Sequence, residues 1–232
     1  MPIQNYDGET YVAFLDISGF KEMMRREHRA KEALNKFYTT IYNIGRNLHA
    51  NNEKGFLEVN SLVISDCMIL FSRNAPGYDD KIKGLRSILC FIQQVNRDLI
   101  APPLPLMTTC SIDYGRFRYE DRIEFEGIEK GYFVGQPYVN AFLDNEKLKE
   151  PGKCRLVKGN IENICDPIDL LDTLIIRGEP PFSLLEETGK CYYFHWMLNS
   201  LDDLMNFDQE YQDTYQLKYA GMIQVLQKYV TE

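Results

Sequence analysis

Residues 14–20 read Phe14-Leu15-Asp16-Ile17-Ser18-Gly19-Phe20 and combine the end of an apolar run with a polar turn. This stretch closes an apolar run that begins at Tyr11, and short apolar runs of this kind are typical of buried strands. Gly19 follows almost at once, and a glycine directly after a strand favours a sharp turn. We therefore predict a buried strand that ends beside Asp16, then a tight turn, and then a helix.

The sequence on either side of this stretch predicts alternating strands and helices. Apolar residues at helical spacing predict helices over residues 34–48, 78–99 and 136–148. Runs rich in β-branched and aromatic residues predict strands over 11–17, 106–113 and 154–157, and a hairpin over 56–71 with Ser65 and Asp66 at its tip. This order favours an α+β fold, a ferredoxin-like antiparallel sheet flanked by helices.

The later part of the chain gives weaker signals. Residues 119–131 are charged and predict a hairpin arm or loop, and a short helix is predicted over 167–171. Strands are predicted over 174–176 and 191–196, and apolar periodicity from Leu201 to Tyr229 predicts a long C-terminal helix. We expect residues 1–160 to form the core, and residues 161–232 to complete the same domain with strands and a helical extension.

Composition excludes several classes of function. The 232 residues include 26 Lys plus Arg against 34 Asp plus Glu, a net charge of −8, which argues against a nucleic-acid polymer or a membrane surface as partner. Apolar runs fall far short of the ~20 residues of a membrane span, and residues 1–10 lack a signal-peptide core. The six cysteines form no CxxC pair. We expect a cytoplasmic protein with reduced thiols.

Two aspartates end the predicted strands at comparable places. Asp16 lies at the end of the first strand and Asp66 at the hairpin tip, so both carboxylates meet if the strands are neighbours. Carboxylates without a nearby His or Cys ligand suit Mg²⁺ or Mn²⁺, which commonly bridge to substrate phosphates. Backbone amides in the turn after Asp16 could bind an anion, and Arg116 could offer a guanidinium to phosphate oxygens.

Four motifs in order give these residues a family resemblance. Residues 14–20 resemble the Phe-x-Asp-Ile-x-Gly-Phe signature of class III nucleotidyl cyclases, and Ile64-Ser65-Asp66 resembles that family's Ile-Gly-Asp hairpin tip with serine in place of glycine. Gly115-Arg116 resembles a Gly-Arg step after a central strand. Residues 135–141 are similar to the family's Gly-x-x-Val-Asn-x-Ala helix start. The resemblance covers roughly residues 10–160 and implies a class III cyclase fold.

The resemblance also implies roles for these residues. Asp16, Asp66 and the backbone carbonyl of Ile17 would hold two Mn²⁺ or Mg²⁺ ions. The ribose 3′-oxygen of a nucleoside triphosphate would then displace pyrophosphate from the α-phosphorus, with no protein nucleophile. The implied phosphate contacts are the turn amides, including those of Ser18, Gly19 and Phe20, and the side chain of Arg116.

Two departures from the family concern the base. Adenylyl cyclases carry Lys six residues before the second metal-binding Asp and Asp three residues before the helix-start Gly; here these positions hold Asn60 and Tyr132. A neutral amide beside a bulky ring suits a pyrimidine. The chain thus most resembles the bacterial pyrimidine cyclases of the Pycsar antiphage system, which make cyclic UMP or cyclic CMP. Asn60 does not distinguish UTP from CTP, and we favour UTP slightly.

A third departure concerns the transition state. By strict count, the family's Asn and Arg on the helix after Gly135 fall at Val139 and Leu143, and neither can donate to the α-phosphate. Asn140 lies one place away. Either a one-residue shift makes Asn140 the transition-state contact, or another residue, such as one from a second subunit, supplies the missing charge.

These features leave several functions open. The first is a homodimeric pyrimidine cyclase with active sites shared between protomers, whose product is sensed by a separate effector protein in antiphage defence. The second is an adenylyl or guanylyl cyclase with unusual base contacts. The others are a degenerate cyclase-like domain that binds nucleotide or a protein partner without turnover, and a ferredoxin-like interaction module with coincidental motifs.

Overall fold

The computed structural model describes residues 3–51, 56–73, 78–101, 103–125, 128–147, 154–157, 159, 185–188 and 191–194. The helices are α1 (Phe20–Met23), α2 (Glu27–Asn51), α3 (Tyr78–Ile100) and α4 (Gln136–Lys147). The strands are β1 (Tyr6–Ile17), β2 (Val59–Ile64), β3 (Cys67–Ser72), β4 (Thr108–Phe125), β5 (Ile128–Val134), β6 (Cys154–Val157), β7 (Leu185–Thr188) and β8 (Cys191–Phe194).

The strands form one sheet in the order β2-β3-β1-β4-β6-β8-β7, and β5 pairs with the far end of β4. The first four strands pair antiparallel, as expected for the ferredoxin-like sheet predicted above. Only β6 departs from this pattern among the described strands, because it runs parallel to β4. The observed architecture confirms an α+β fold built on this sheet.

Alternation along β1 divides the core into two layers. Tyr11, Ala13 and Leu15 are fully buried under α2 and α3. Successive strand residues point to opposite faces, so Val12 and Phe14 pack on the other face with aromatic residues of β3 and β4. The face of the sheet covered by α2 and α3 is called the helical face, and the opposite face, with Val12 and Phe14, is called the α4 face.

Helix α4 covers the second layer where it crosses β1 and β4. The ring of Phe142 meets Phe14 edge-on, with centroids 5.2 Å apart. The approach is close at the start of the helix, where a Cβ on Gly135 would lie 2.5 Å from the carbonyl oxygen of Arg116. Glycine is therefore required at position 135 by the contact between backbones.

Most predicted elements in the described range are confirmed, with differences in length. The hairpin, the three long helices, β6 and β8 lie where predicted, but β4 extends to Phe125 because it continues into an arm paired with β5. Strand β7 was not predicted. The elements predicted over 167–171, 174–176 and 201–229 lie outside the described residues. None of the described helices combines the length and the apolarity that a membrane span requires.

Candidate active site

The turn after β1 is fixed by backbone hydrogen bonds. Ile17 N–H donates to the carbonyl of Asp66 at 3.0 Å, and Ser18 N–H donates to the carbonyl of Met107 at 2.8 Å. Gly19 then adopts φ 78°, a left-handed conformation that glycine accepts without strain. The first of these bonds ties the end of β1 directly to the hairpin tip.

These bonds correct part of the predicted phosphate cradle. The resemblance implies that the backbone amides of residues 17–20 donate to phosphate, but the amides of Ile17 and Ser18 already donate to carbonyls. The amides of Gly19 and Phe20 make no hydrogen bond within the described part of the chain. The Ser18 hydroxyl remains available: it is buried, with Oγ lacking any partner among the described residues. An unsatisfied buried hydroxyl is costly, which favours a ligand at this turn.

The hairpin tip presents Asp66 beside this turn. Ser65 has φ 57°, an unusual value for a residue with a side chain, at the position where the family motif has glycine. The Cys67 thiol donates to the carbonyl of Ile64 at 3.0 Å and closes the turn. Because Cys67 is in register with Asp16 on β1, Asp66 lies next to the end of that strand.

The two aspartates interact electrostatically, as the sequence predicts. Burial, together with the charges of Asp66 and Glu146, raises the pKa of the Asp16 carboxyl to about 7. Burial also raises the pKa of the Cys67 thiol to about 11, with the same two aspartates contributing. A cation at this place would remove the repulsion that disfavours ionised Asp16.

The donor set fits a divalent metal ion. Two carboxylates are hard oxygen ligands, and Ile17 has its side chain in the core, so only its backbone can face the site. Within the described residues no three His, Cys, Asp or Glu side chains form a metal cage. Mg²⁺ commonly uses one or two protein carboxylates and completes its shell with substrate phosphates and water, which matches Asp16 and Asp66.

Arg116 is not part of this cluster. Strand β4 pairs Thr109 with Asp16 and Arg116 with Glu9, so the arginine lies seven positions farther along β1, about 23 Å away at 3.3 Å per residue. It is exposed and forms an ion pair with Asp7, with 3.1 Å between Nε and Oδ1. Within one protomer the arginine therefore pairs with Asp7 and is not brought to Asp16 and Asp66, and its contact with a phosphate stays a prediction.

The two predicted base contacts lie on opposite faces of the sheet. Asn60 pairs with Phe71 on the α4 face, is only 7% exposed, and has Nδ2 without a partner among the described residues. Tyr132 pairs with Glu120 on the other face, whereas its neighbour Phe133 packs on the α4 face. The structure thus does not bring Tyr132 to the face of Asn60; Phe133 is the ring that shares it.

Asn140 is held on α4 by two side chains. Its Nδ2 donates to Oδ2 of Asp113 at 2.7 Å, and its Oδ1 accepts from Nε2 of Gln136 at 2.8 Å. Val139 and Leu143, the strict-count positions, are 41% and 48% exposed and present apolar surface. If the family motif is moved by one residue so that its asparagine falls on Asn140, its base-contacting residue moves from Tyr132 to Phe133. This agrees with the structure, in which Phe133 and not Tyr132 lies on the face of Asn60.

These residues form two rows across the α4 face. The metal row contains Cys67, Asp16 and Thr109, paired across β3, β1 and β4. The amide row lies four residues farther along β1 and contains Asn60, Phe71, Val12 and Asp113, with Asn140 above Asp113. Four residues correspond to about 13 Å along the strands.

Sequence reasoning missed three residues near these rows. Thr109 is buried directly beside Asp16, and Glu146 lies close enough to raise its pKa. Asp113 is a buried carboxylate that contacts Asn140. In the strand 106–113, Thr109 and Asp113 are an even number of positions apart and alternate with apolar residues. This spacing predicts that both side chains lie on the same face of the sheet.

Comparisons with known proteins agree with this geometry. No protein-family model matches the sequence, and no curated protein matches it significantly. Among solved structures, the guanylate cyclase domain of RhGC from Catenaria anguillulae in complex with GTP aligns over 84% of this chain and 100% of its own, at 13% identity and a TM-score of 0.55. The chain has the class III cyclase fold.

Two further structures share this class III cyclase fold. The adenylyl cyclase CyaB from P. aeruginosa aligns over 87% of this chain and 99% of its own, at 14% identity and a TM-score of 0.52. A class III adenylyl cyclase-like ATP-binding protein from Pseudomonas aeruginosa aligns over 74% of this chain and 38% of its own, at 10% identity and a TM-score of 0.54. At these identities the likeness concerns the fold.

Proposed function

We propose that the protein is a nucleotidyl cyclase that converts UTP, or alternatively CTP, to its 3′,5′-cyclic monophosphate and pyrophosphate. The observation that carries this proposal is the meeting of Asp16 and Asp66 at the end of β1, within the class III cyclase fold. Burial and the neighbouring carboxylate disfavour a negative charge on Asp16. Such a pair is costly unless a cation joins it.

Asp16, Asp66 and the carbonyl of Ile17 would hold Mg²⁺ or Mn²⁺. When bound, the two ions would lower the pKa of the ribose 3′-hydroxyl and neutralise charge on the leaving pyrophosphate. The amides of Gly19 and Phe20 and the hydroxyl of Ser18 would donate to phosphate oxygens at the turn. These groups orient the triphosphate so that the 3′-oxygen and pyrophosphate lie in line at the α-phosphorus.

The base would be selected on the amide row. Asn60 offers an Nδ2 donor without a partner in the described structure, which a carbonyl oxygen of uracil or the N3 acceptor of cytosine would satisfy. Phe133 supplies an aromatic ring on the same face, where adenylyl cyclases would place a carboxylate. A short neutral amide and a ring favour a pyrimidine over a purine, and they do not separate UTP from CTP.

The distance between the two rows supports a homodimer. Asn60 lies about 13 Å along the strands and two strands across from Asp16, so the metal-binding and base-reading side chains occupy separate areas of the α4 face. A two-fold dimer can place the metal row of one protomer opposite the amide row of its partner, and it then contains two equivalent sites. Exposed Val139 and Leu143 on α4 suit such a contact.

The cellular role follows from the Pycsar resemblance. A cyclic pyrimidine nucleotide made in the cytoplasm would serve as a second messenger, and a separate effector protein would sense it during phage infection. The alternative is an adenylyl or guanylyl cyclase, which is the activity named for two of the structures with the same fold. A domain that binds nucleotide without turnover is favoured by Val139 and Leu143 at the transition-state positions, and one neighbour is named an ATP-binding protein.

The test is to incubate the purified protein with Mn²⁺ and, separately, ATP, GTP, CTP and UTP, and to identify the products by mass. We expect cyclic UMP or cyclic CMP with an equal amount of pyrophosphate. Preferred conversion of ATP or GTP would overturn the pyrimidine assignment. Binding of a triphosphate without turnover would support the degenerate domain instead.

A further inference from the structure

Asp113 is a buried carboxylate that the proposed mechanism does not use. It lies in the middle of β4 on the α4 face, is 7% exposed, and pairs with Val12 of β1. An acidic side chain in such a place is costly unless it is hydrogen-bonded. Its Oδ2 accepts from Nδ2 of Asn140 at 2.7 Å. The carboxylate thus contacts the residue that the proposed function assigns to the transition state.

The chemistry of Asp113 fixes how the Asn140 amide is turned. An ionised carboxylate has only acceptors, so the atom of Asn140 that faces it must be the NH₂ group. Gln136, one helical turn earlier, donates from Nε2 to Oδ1 of Asn140 at 2.8 Å, a contact that matches this orientation. The carboxylate of Asp113 therefore decides which of its two orientations the Asn140 amide adopts.

This orientation has a consequence for the substrate. An NH₂ group has two donors, and the bond to Asp113 uses one of them. The charge-assisted bond to a carboxylate is also stronger and shorter than a neutral one, so the direction of the second donor is set by Asp113. Asn140 is half-buried, between the sheet-facing Ala141 and the exposed Val139, at the margin of α4.

We propose that Asp113 is a positioning residue, which orients the Asn140 amide so that its second N–H points to the α-phosphate of the nucleotide. This inference rests on the proposed cyclase function, and it assigns a role to a residue outside the four motifs. Asp113 acts only through Asn140. Its loss should therefore lower the rate of the chemical step more than it weakens binding of the triphosphate.

The test compares Asp113→Asn with the wild-type protein in steady-state turnover of UTP with Mn²⁺, or of whichever triphosphate the wild type prefers. We expect kcat to fall about 10- to 100-fold, as for other residues that orient a ligand-contacting group, with KM within about 3-fold. Asp121→Asn, an exposed aspartate on the same strand, is the matched control and should leave both constants unchanged. Unchanged kcat in Asp113→Asn would overturn the inference.

A double-variant measurement separates positioning from a structural role. In the Asn140→Ala background, Asp113→Asn should cause no further loss of kcat, because the group that it orients is gone. Losses that multiply independently would overturn the inference. Gln136→Ala, an exposed change that should leave the fold intact, is expected to give a smaller fall in kcat by the same route. Wild-type protein inactive on all four triphosphates would overturn the proposed function itself.

Discussion

Asp16→Asn is expected to lower triphosphate turnover about 1000-fold or more and at the same time to make the folded protein more stable above pH 7. The loss of activity follows because asparagine cannot supply the anionic oxygen that holds a divalent ion, and such an ion contributes several kcal/mol to charge stabilisation. Asp66→Ala should cause a similar loss of turnover. Steady-state product formation with UTP and Mn²⁺ measures both.

The gain in stability follows from the raised pKa of Asp16. The carboxyl titrates near 3.8 when unfolded and at about 7 when folded, so the folded state binds more protons between these values. The free energy of unfolding therefore falls as the pH rises from about 4 to about 7, by up to ~4 kcal/mol at 1.36 kcal/mol per pKa unit, and the loss is complete above that range. Asparagine does not titrate, so this dependence should disappear.

Urea unfolding at pH 5 and pH 8, with and without Mn²⁺, checks this expectation. Mn²⁺ should stabilise the wild type at pH 8 more than at pH 5, because binding requires the ionised carboxylate. It should have little effect on Asp16→Asn. Asp98→Asn, an exposed change on α3, is the control. Equal pH dependence in Asp16→Asn and the wild type would contradict the electrostatic account of the site.

Gly135→Ala is expected to lower both stability and turnover, because the added methyl group pushes α4 away from the sheet. A Cβ at this position would lie 2.5 Å from the carbonyl oxygen of Arg116 and 3.0 Å from Cα of Phe117. Both obstacles are backbone atoms, so the helix must move. We expect about 1–3 kcal/mol of destabilisation and about 100-fold lower turnover, since displacement of Asn140 by about 1 Å is enough for such a loss.

Gly45→Ala is the matched control for this change. Gly45 lies inside α2, and an added Cβ would meet only the ring of Phe91 at 3.9 Å, an ordinary contact. Alanine is the better helix former, so this variant should gain about 0.5–1 kcal/mol and keep full turnover. If Gly135→Ala were as stable and active as the wild type, the close packing of α4 on β4 would be wrong.

Local sequence was sufficient to predict which structural elements meet at the candidate site. The strand that ends at Asp16, the glycine turn and the hairpin tip at Asp66 are each encoded within a few residues, and they meet because β1 and β3 are neighbours in the sheet. The fold class followed from the order of the elements. Both predictions depend on signals that are short-range along the chain.

Long-range geometry was not predictable in the same way. Only the register between β1 and β4 shows that Arg116 lies seven positions farther along β1 than Asp16. Tyr132 was assigned by counting from Gly135, whereas the alternation of β5 turns Phe133 to the α4 face. Asp113 gave no local signal of its role, because its burial depends on where α4 lies against the sheet.

Mixing two inactive variants tests the shared site most directly. Asp66→Ala lacks one of the two metal-binding carboxylates and Asn140→Ala lacks the amide donor, so each homodimer should be nearly inactive. After subunit exchange half of the dimers are mixed, and each has one complete site of two, which predicts recovery of about a quarter of wild-type turnover. Recovery near this level would support a site built from both protomers. No recovery, with exchange confirmed by mass, would contradict it.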